Sequence, residues 1–217
     1  MSKPKILSGF LIAVIATTLL SGCTPSKQYA GSKNDGAFFA VPNGWHKISN
    51  QALNKEEGAT KNPDDLDRLA MVSYQVGFSE AKKISARDVF MLKPTEAPVV
   101  FARFRSLFPE ERNAISLNSL RDVVLPVTQF LDGSRENDRN FLLIDDQEVI
   151  EKGGKGVNLR FSFDYEGVNQ TINQTTLVSN DQGKIYIFVV RCSTECYNKK
   201  SKEIDAIVKS FTLKGAR

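Results

Sequence analysis

Apolar and polar positions divide this chain into an apolar leader, a polar spacer and a body of short alternating runs. Ile6 to Leu20 carries no charge and is mostly apolar, a length that suits an export-signal core and is short for a membrane span. Thr24 to Gly36 is rich in Ser, Gly, Lys and Asn, the composition of a flexible spacer. Ala37 to Val41 then reads as a strand stopped by Pro42-Asn43-Gly44, with Trp45 anchoring the turn in the core. Ser49 caps a short helix to Glu57, Asn62 to Asp65 is a loop, and Ala70 to Phe78 alternates as a strand.

The middle is less regular. Ser85 and Asp88 have capping spacing for a helical turn before Pro94, and the β-branched and aromatic content of Val99 to Arg105 favours a strand. Ser119 and Asp122 open a helix over Leu117 to Leu125, stopped by Pro126, and Leu131 to Asn140 is a charged loop. The last third is clearer. Strands over Phe141–Glu151, Val157–Tyr165, Gln170–Val178 and Ile185–Cys192 are separated by glycine turns, and Val157, Leu159, Phe161, Phe163 and Tyr165 share one face. A helix from Glu195 to Ser210 places Ile204, Ile207, Val208 and Phe211 on one stripe. The pattern predicts a single α+β domain, an antiparallel meander with flanking helices.

The leader ends in Leu20-Ser21-Gly22-Cys23, preceded by Lys3, Lys5 and the apolar run. This resembles a bacterial lipobox, where a diacylglycerol is attached to the cysteine and the chain is cleaved before it. The expected organisation is a lipoprotein signal peptide over 1–22, a tether over 23–36 and a folded domain over 37–214. Lipidation at Cys23 implies attachment outside the cytoplasm by acyl chains. Composition sharpens the picture. The 217 residues carry 29 Lys and Arg against 25 Asp and Glu. Without Lys3 and Lys5 the balance is 27 against 25, or +2. So slight a charge does not indicate nucleic acid, and it leaves lipid rather than charge as the membrane attachment.

The segment Phe39-Ala40-Val41-Pro42-Asn43-Gly44-Trp45 resembles the strand-Pro-x-Gly-Trp opening of the PsbP-like family. Gly183-Lys184-Ile185-Tyr186-Ile187-Phe188 and Ile207-Val208-Lys209-Ser210-Phe211 resemble its closing strand and its helix running into a Ser-Phe strand. The likeness spans about Ala37 to Leu213, with Ala81 to Pro109 outside it. It implies an α/β/α sandwich and an accessory or binding role, with no catalytic residues to transfer and no cofactor.

Candidate chemistry is sparse. With Cys23 lipidated, Cys192 and Cys196 remain, and outside the cytoplasm a remaining pair is most simply a disulfide. Free thiols or a redox or metal role stay open, although C-x-x-x-C is not the C-x-x-C spacing of oxidoreductases. His46 is the single imidazole and reads as a surface or turn residue. Ser79-x-x-Lys82 has nucleophile-base spacing but lacks companion motifs, and Gly153-Gly154-Lys155-Gly156 reads as a hairpin turn, not a phosphate loop. Three acidic groupings offer oxygens to calcium without the EF-hand pattern: Asp64, Asp65 and Asp67; Asp145 and Asp146; and Asp132, Ser134, Glu136 and Asp138. The strand Asn169 to Thr175 reads as solvent-facing, with sugar or protein-edge contacts as the functional alternative. Lys199, Lys200 and Lys202 start a helix and can face anionic lipid.

Three functions compete. The first is a lipid-anchored, non-enzymatic accessory or binding protein with an envelope protein or small hydrophobic ligand as partner. The second is an envelope-glycan hydrolase using Asp145, Asp146, Glu148 and Asp164, which requires facing carboxyls, one with a raised pKa. The third is a lipid carrier with Phe101, Phe104 and Phe108 lining a cavity.

Overall fold

A computed structural model describes residues 26–215, so Cys23 and the leader lie outside the described residues. The first strands are β1 (Lys27–Ser32), β2 (Ala37–Pro42) and β3 (His46–Ile48). β1 pairs antiparallel with β2 across its whole length. The spacer expected up to Gly36 is therefore corrected from Lys27 onward. Its polar composition hid a strand because Lys27 and Tyr29 point outward, while Ala30 packs on the core. Pro42 ends β2, Gly44 takes φ +85°, a conformation glycine adopts at no steric cost, and Trp45 turns into the core.

Next come α1 (Asn50–Glu57), α2 (Pro63–Ala70), β4 (Val72–Ser79), α3 (Ala86–Phe90) and β5 (Val99–Ser106). Ser49 caps α1 by accepting from the Ala52 N–H, and Ser85 and Asp88 form the capping box of α3. The loop expected at Asn62 is instead the start of α2, with Asn62 as cap and Pro63 pre-set at the first position. Three short helices follow: α4 (Pro109–Ala114), α5 (Leu117–Arg121) and α6 (Val127–Leu131). The cap of α5 is Ser116, bonded reciprocally with Ser119, and not the expected Ser119-Asp122 pair. Asp122 instead accepts the N–H of Thr128 in α6 at 2.8 Å.

The remaining strands are β6 (Leu142–Glu151), β7 (Gly154–Tyr165), β8 (Val168–Ser179) and β9 (Lys184–Ser193). They run as the expected antiparallel meander and continue into β5, β4 and β3, giving the seven-stranded order β3-β4-β5-β9-β8-β7-β6. The single C-terminal helix expected is two, α7 (Thr194–Lys199) and α8 (Ser201–Lys209), broken at Lys200 where φ is −111° and ψ 17°. β10 (Thr212–Leu213) then joins β2, completing a small sheet in the order β1-β2-β10.

The large sheet is covered on both faces. On the front, Val100, Phe104, Phe188, Val190 and Cys192 pack against Phe39, Ile204, Ile207 and Phe211 from the small sheet, α8 and their junction. On the back, Val157, Leu159, Phe161 and Phe163 pack under Leu120 and Val127 of α5 and α6, and Val99 packs with Leu53 of α1 and Val89 of α3. The class is α+β, with helices on both sides of an antiparallel sheet.

The segment from Ala81 to Gln129, the least legible in sequence, forms most of the back cover and is strapped down by polar side chains of the sheet. Arg191, 2% exposed, donates to the carbonyls of Lys93, Asp88 and Met91. Gln170 donates to Leu92 O, and Gln174 to Leu120 O at 2.9 Å. Burial pushes the Arg191 guanidinium down to about 10, partly offset by the charge of Asp88. The carbonyls collar a cation that makes no ion pair among the described residues.

Candidate functional site

Polar groups of four strands and helices converge on the front face, between the β6–β8 half of the sheet and α8. Antiparallel register aligns them in two rungs, Asp145–Arg160–Asn173 and Gln147–Asn158–Thr175. Asp205, Val208 and Lys209 of α8, with Phe211 beyond it, form the facing wall of an open groove of about 340 Å³. In β4, β5 and β9 the equivalent front positions are apolar and lie under β2 and α8. Alternation thus makes one half of the sheet face a core and the other half a polar groove.

The groove groups are held in place by one another. Asn158 Nδ2 donates to Asn173 Oδ1 and Thr175 Oγ1, each at 2.8 Å. Asn173 Nδ2 reaches the Tyr197 hydroxyl of α7 at 3.5 Å. Gln147 Nε2 donates to Asp145 at 3.1 Å. Arg160 Nε is buried without a partner among the described residues. Burial pushes the Tyr197 phenol up, offset in part by the hydrogen bond from Asn173 and reinforced by the charge of Asp205. Carboxylates, a guanidinium, an ammonium, amides and a hydroxyl line one cleft. Such a lining can hold a ligand rich in hydroxyl or amide groups.

The residues singled out from sequence are scattered. Cys192 at the end of β9 and Cys196 in α7 are joined as a disulfide with Cα atoms 5.9 Å apart. His46 is exposed on β3, whereas Ser79 is buried and gives its hydroxyl to Pro98 O at 2.8 Å. Gly154 and Gly156 lie within β7, and a Cβ at Gly156 would meet Thr176 O at 2.0 Å. The expected hairpin turn is therefore narrower, Lys152-Gly153 between β6 and β7, while Gly154 and Gly156 allow close backbone approach within the strand. Asp64 and Asp65 occupy the first turn of α2, where carboxylates favour the helix dipole. Asp132 caps a turn by accepting from the Ser134 N–H at 2.8 Å.

The four carboxylates expected to form a hydrolase pair divide between the two faces of β6 and the end of β7. Asp145 faces the groove, and Asp146 faces the back and pairs with Arg121 at 2.8 Å. Glu148 lies on the back of β6, and Asp164 ends β7 between the amides of Asn140 and Asn169, which hold its carboxyl below the usual range. Among the described residues, every carboxyl displaced from its ordinary value is displaced downward. The three phenylalanines of the carrier reading part as well. Phe104 is in the front core, Phe101 lies on the back, and Phe108 is the residue just before α4.

The strand Asn169 to Thr175 is corrected from solvent-facing to central and buried, with Asn173 6% and Thr175 6% exposed. Of the groove groups, Asn158, Arg160, Gln147, Asp205 and Lys209 had not been singled out. For Asn158 and Arg160 the signal was present in the alternation, since each polar residue of Val157 to Phe161 falls opposite the recognised apolar face.

The fold and groove define a sheet-and-helix domain with a polar cleft. No family model matches the sequence, and no curated protein does. Among solved structures, the chain is similar to the cyanobacterial PsbP of Synechocystis sp. PCC 6803, with 17% identity and a TM-score of 0.48, covering 87% of this chain and 92% of that one. It is similar to LpqN, described as involved in cell envelope biogenesis of Mycobacterium tuberculosis, with 14% identity and a TM-score of 0.46 over 86% and 90% of the two chains. It is also similar to the Ran-binding protein Mog1p of Saccharomyces cerevisiae, with 8% identity and a TM-score of 0.45 over 87% and 96%. At these identities and scores none carries a function across, and the α+β class stands on the topology above.

Proposed function

We propose that this chain is a non-catalytic, lipid-anchored binding protein working outside the cytoplasm, with the groove between β6–β8 and α8 as its ligand site. The observation that carries the binding reading is the groove itself, an open cleft of about 340 Å³ lined by the charged groups of Asp145, Arg160, Asp205 and Lys209, with Asn158, Asn173 and Thr175 bonded to one another along its floor. Asp145 lies on the opposite face of β6 from Asp146 and Glu148, and Asp146 is tied to Arg121, which supports binding over glycan hydrolysis. The Leu20-Ser21-Gly22-Cys23 sequence supports the anchor, and the Cys192–Cys196 disulfide suits a compartment outside the cytoplasm. Among the described residues no helix is long and apolar enough to cross a membrane.

Two measurements test the proposal. Metabolic labelling with palmitate should mark the chain and be abolished by Cys23→Ser. Co-purification from mild-detergent extracts of the native cell should recover a partner or glycan that Asn158→Leu and Arg160→Glu release. Retention of everything recovered by both variants would move binding away from the groove. Unchanged mass at Cys23 would remove the anchor.

A further inference from the structure

The strand β1 changes what an anchor at Cys23 would do. Only Thr24, Pro25 and Ser26 separate Cys23 from Lys27, a span of at most about 14 Å. A bilayer reached by so short a link meets one particular end of the domain. Ser26 O accepts the Asn43 N–H at 3.0 Å, and Gln28 Nε2 donates to Trp45 O at 3.1 Å. His46 sits opposite Ser79 in the β3–β4 register, and Glu80 pairs with Lys200 at the α7–α8 junction. These contacts gather segments distant in sequence at the corner from which the link emerges.

That corner is basic. Lys27, Lys47, Lys82, Lys83 and Lys202 are exposed and make no ion pair among the described residues. Lys199 and Lys200 add two more, paired with Glu195, Glu80 and Glu203, and Glu96 lies near Lys199. Seven lysines against four glutamates leave a surplus of three, more than the +2 of the whole chain from Cys23 onward. Tyr29 stands two residues after Lys27 on the same outward face and is 81% exposed, an aromatic with a polar tip of the kind that suits a membrane interface.

We infer that this corner, with Tyr29 and the unpaired lysines, docks on an anionic lipid surface and fixes the orientation of the domain on the membrane. Lysines close to an anionic leaflet are attracted within a Debye length of it, and a second attachment makes an acyl anchor firmer and geometrically specific. The inference rests on the lipid-anchor reading, because the link length is counted from Cys23.

The test uses the protein extracted from membranes and reconstituted in vesicles carrying bromine on their acyl chains, with either phosphatidylglycerol mixed into phosphatidylcholine or phosphatidylcholine alone. Tyr29→Trp and Ile150→Trp supply two exposed probes, Ile150 being 84% exposed on the distant edge strand β6, while the buried Trp45 is a background common to both. In the anionic vesicles, emission should be quenched at position 29 and not at position 150. The difference should shrink in phosphatidylcholine alone and when Lys27, Lys47, Lys82 and Lys202 are all replaced by Gln, leaving only what the short link imposes. Equal quenching at the two positions in anionic vesicles, or a difference of unchanged size in phosphatidylcholine alone or in the fourfold variant, would overturn the docking face. The mass at Cys23 is measured on the same sample. If it shows no acyl chains, the anchor reading fails separately, and the protein is then added to preformed anionic vesicles. There, removing each lysine should weaken partitioning about fivefold, and no loss would sink the face as well.

Discussion

Asp35 is the fastening of the N-terminal hairpin, and its removal should loosen that hairpin by a predictable amount. The residue is 1% exposed in the turn between β1 and β2. Its carboxylate accepts from Ser32 Oγ at 2.6 Å, Ser73 Oγ of β4 at 3.1 Å and the Lys184 ammonium of β9 at 2.5 Å. Its own carbonyl accepts the Tyr186 hydroxyl at 3.2 Å. Breaking a fully buried ion pair costs about 3–5 kcal/mol. The Lys184 side chain is 31% exposed, so it regains water when the carboxylate goes, and the expected cost of Asp35→Asn falls to about 2–3 kcal/mol. For a chain of this size that is a drop of roughly 4–12 °C in Tm.

The pH dependence has a definite sign. Burial alone would raise the Asp35 pKa, but the hydrogen bonds from Lys184, Ser32 and Ser73 and the charge of Lys184 outweigh it and hold the carboxyl below the usual range. A depressed folded pKa contributes stability that is complete above the unfolded value of about 3.9 and is lost as pH falls through the folded value. Parent and Asp35→Asn should therefore differ most at neutral pH and converge in acid. Thermal melts followed by circular dichroism from pH 7 to pH 2.5 measure both. A difference under about 0.5 kcal/mol at pH 7, the size expected of an ordinary surface change, or one that does not shrink in acid, would refute the account.

Other perturbations follow from the same contacts. Arg191→Met leaves the carbonyls of Asp88, Met91 and Lys93 without their donor and should cost about 3 kcal/mol, read by urea melts and by faster tryptic cleavage after Lys82, Lys83 and Arg87. Reducing the Cys192–Cys196 bond, which closes a short loop, should cost about 2 kcal/mol, seen as a lower Tm with reductant and no further loss in Cys192→Ala. Gly156→Ala drives a methyl against Thr176 O and should destabilise by about 1–3 kcal/mol, whereas Gly133→Ala, with φ +75° and open space around it, should cost less in the same melts.

Much of the fold was legible because its later strands follow a strict apolar alternation. Val157 to Phe163 states its buried face outright, and the glycine turns at 167 and 183 close the hairpins. The failures have common physical causes. β1 was missed because an edge strand of a small sheet needs only one apolar side, and Ala30 is its one clear inward hydrophobe. The five-residue and six-residue helices α3 to α6 are too short for periodicity to register, and their positions are set by the sheet side chains that strap them. The break at Lys200 leaves no propensity signal, because Lys is a good helix former. The groove was invisible for a different reason. Its polar residues come from β6, β7, β8 and α8, and only strand register and helix placement bring them together.

The strand β8 holds the argument about function in one place, because its polar residues point both ways. Gln170 and Gln174 face the back and tie down Leu92 and Leu120, whereas Asn173 and Thr175 face the front and meet Asn158 across the groove. A central strand with polar groups on both covered faces departs from the pattern that makes a stable sheet, and such departures collect at sites kept for something other than stability. The two sets should then respond differently. Gln174→Leu removes a donor from a buried carbonyl and should destabilise by about 1–3 kcal/mol, with the α5 region opening first in hydrogen exchange. Thr175→Val at the groove keeps the volume and removes a hydroxyl that accepts from a half-exposed amide, so stability should change by less than about 1 kcal/mol while capture of the groove's ligand falls. Equal destabilisation by both substitutions, with capture unchanged, would make the front-facing polar row a structural network and remove the groove as a binding site.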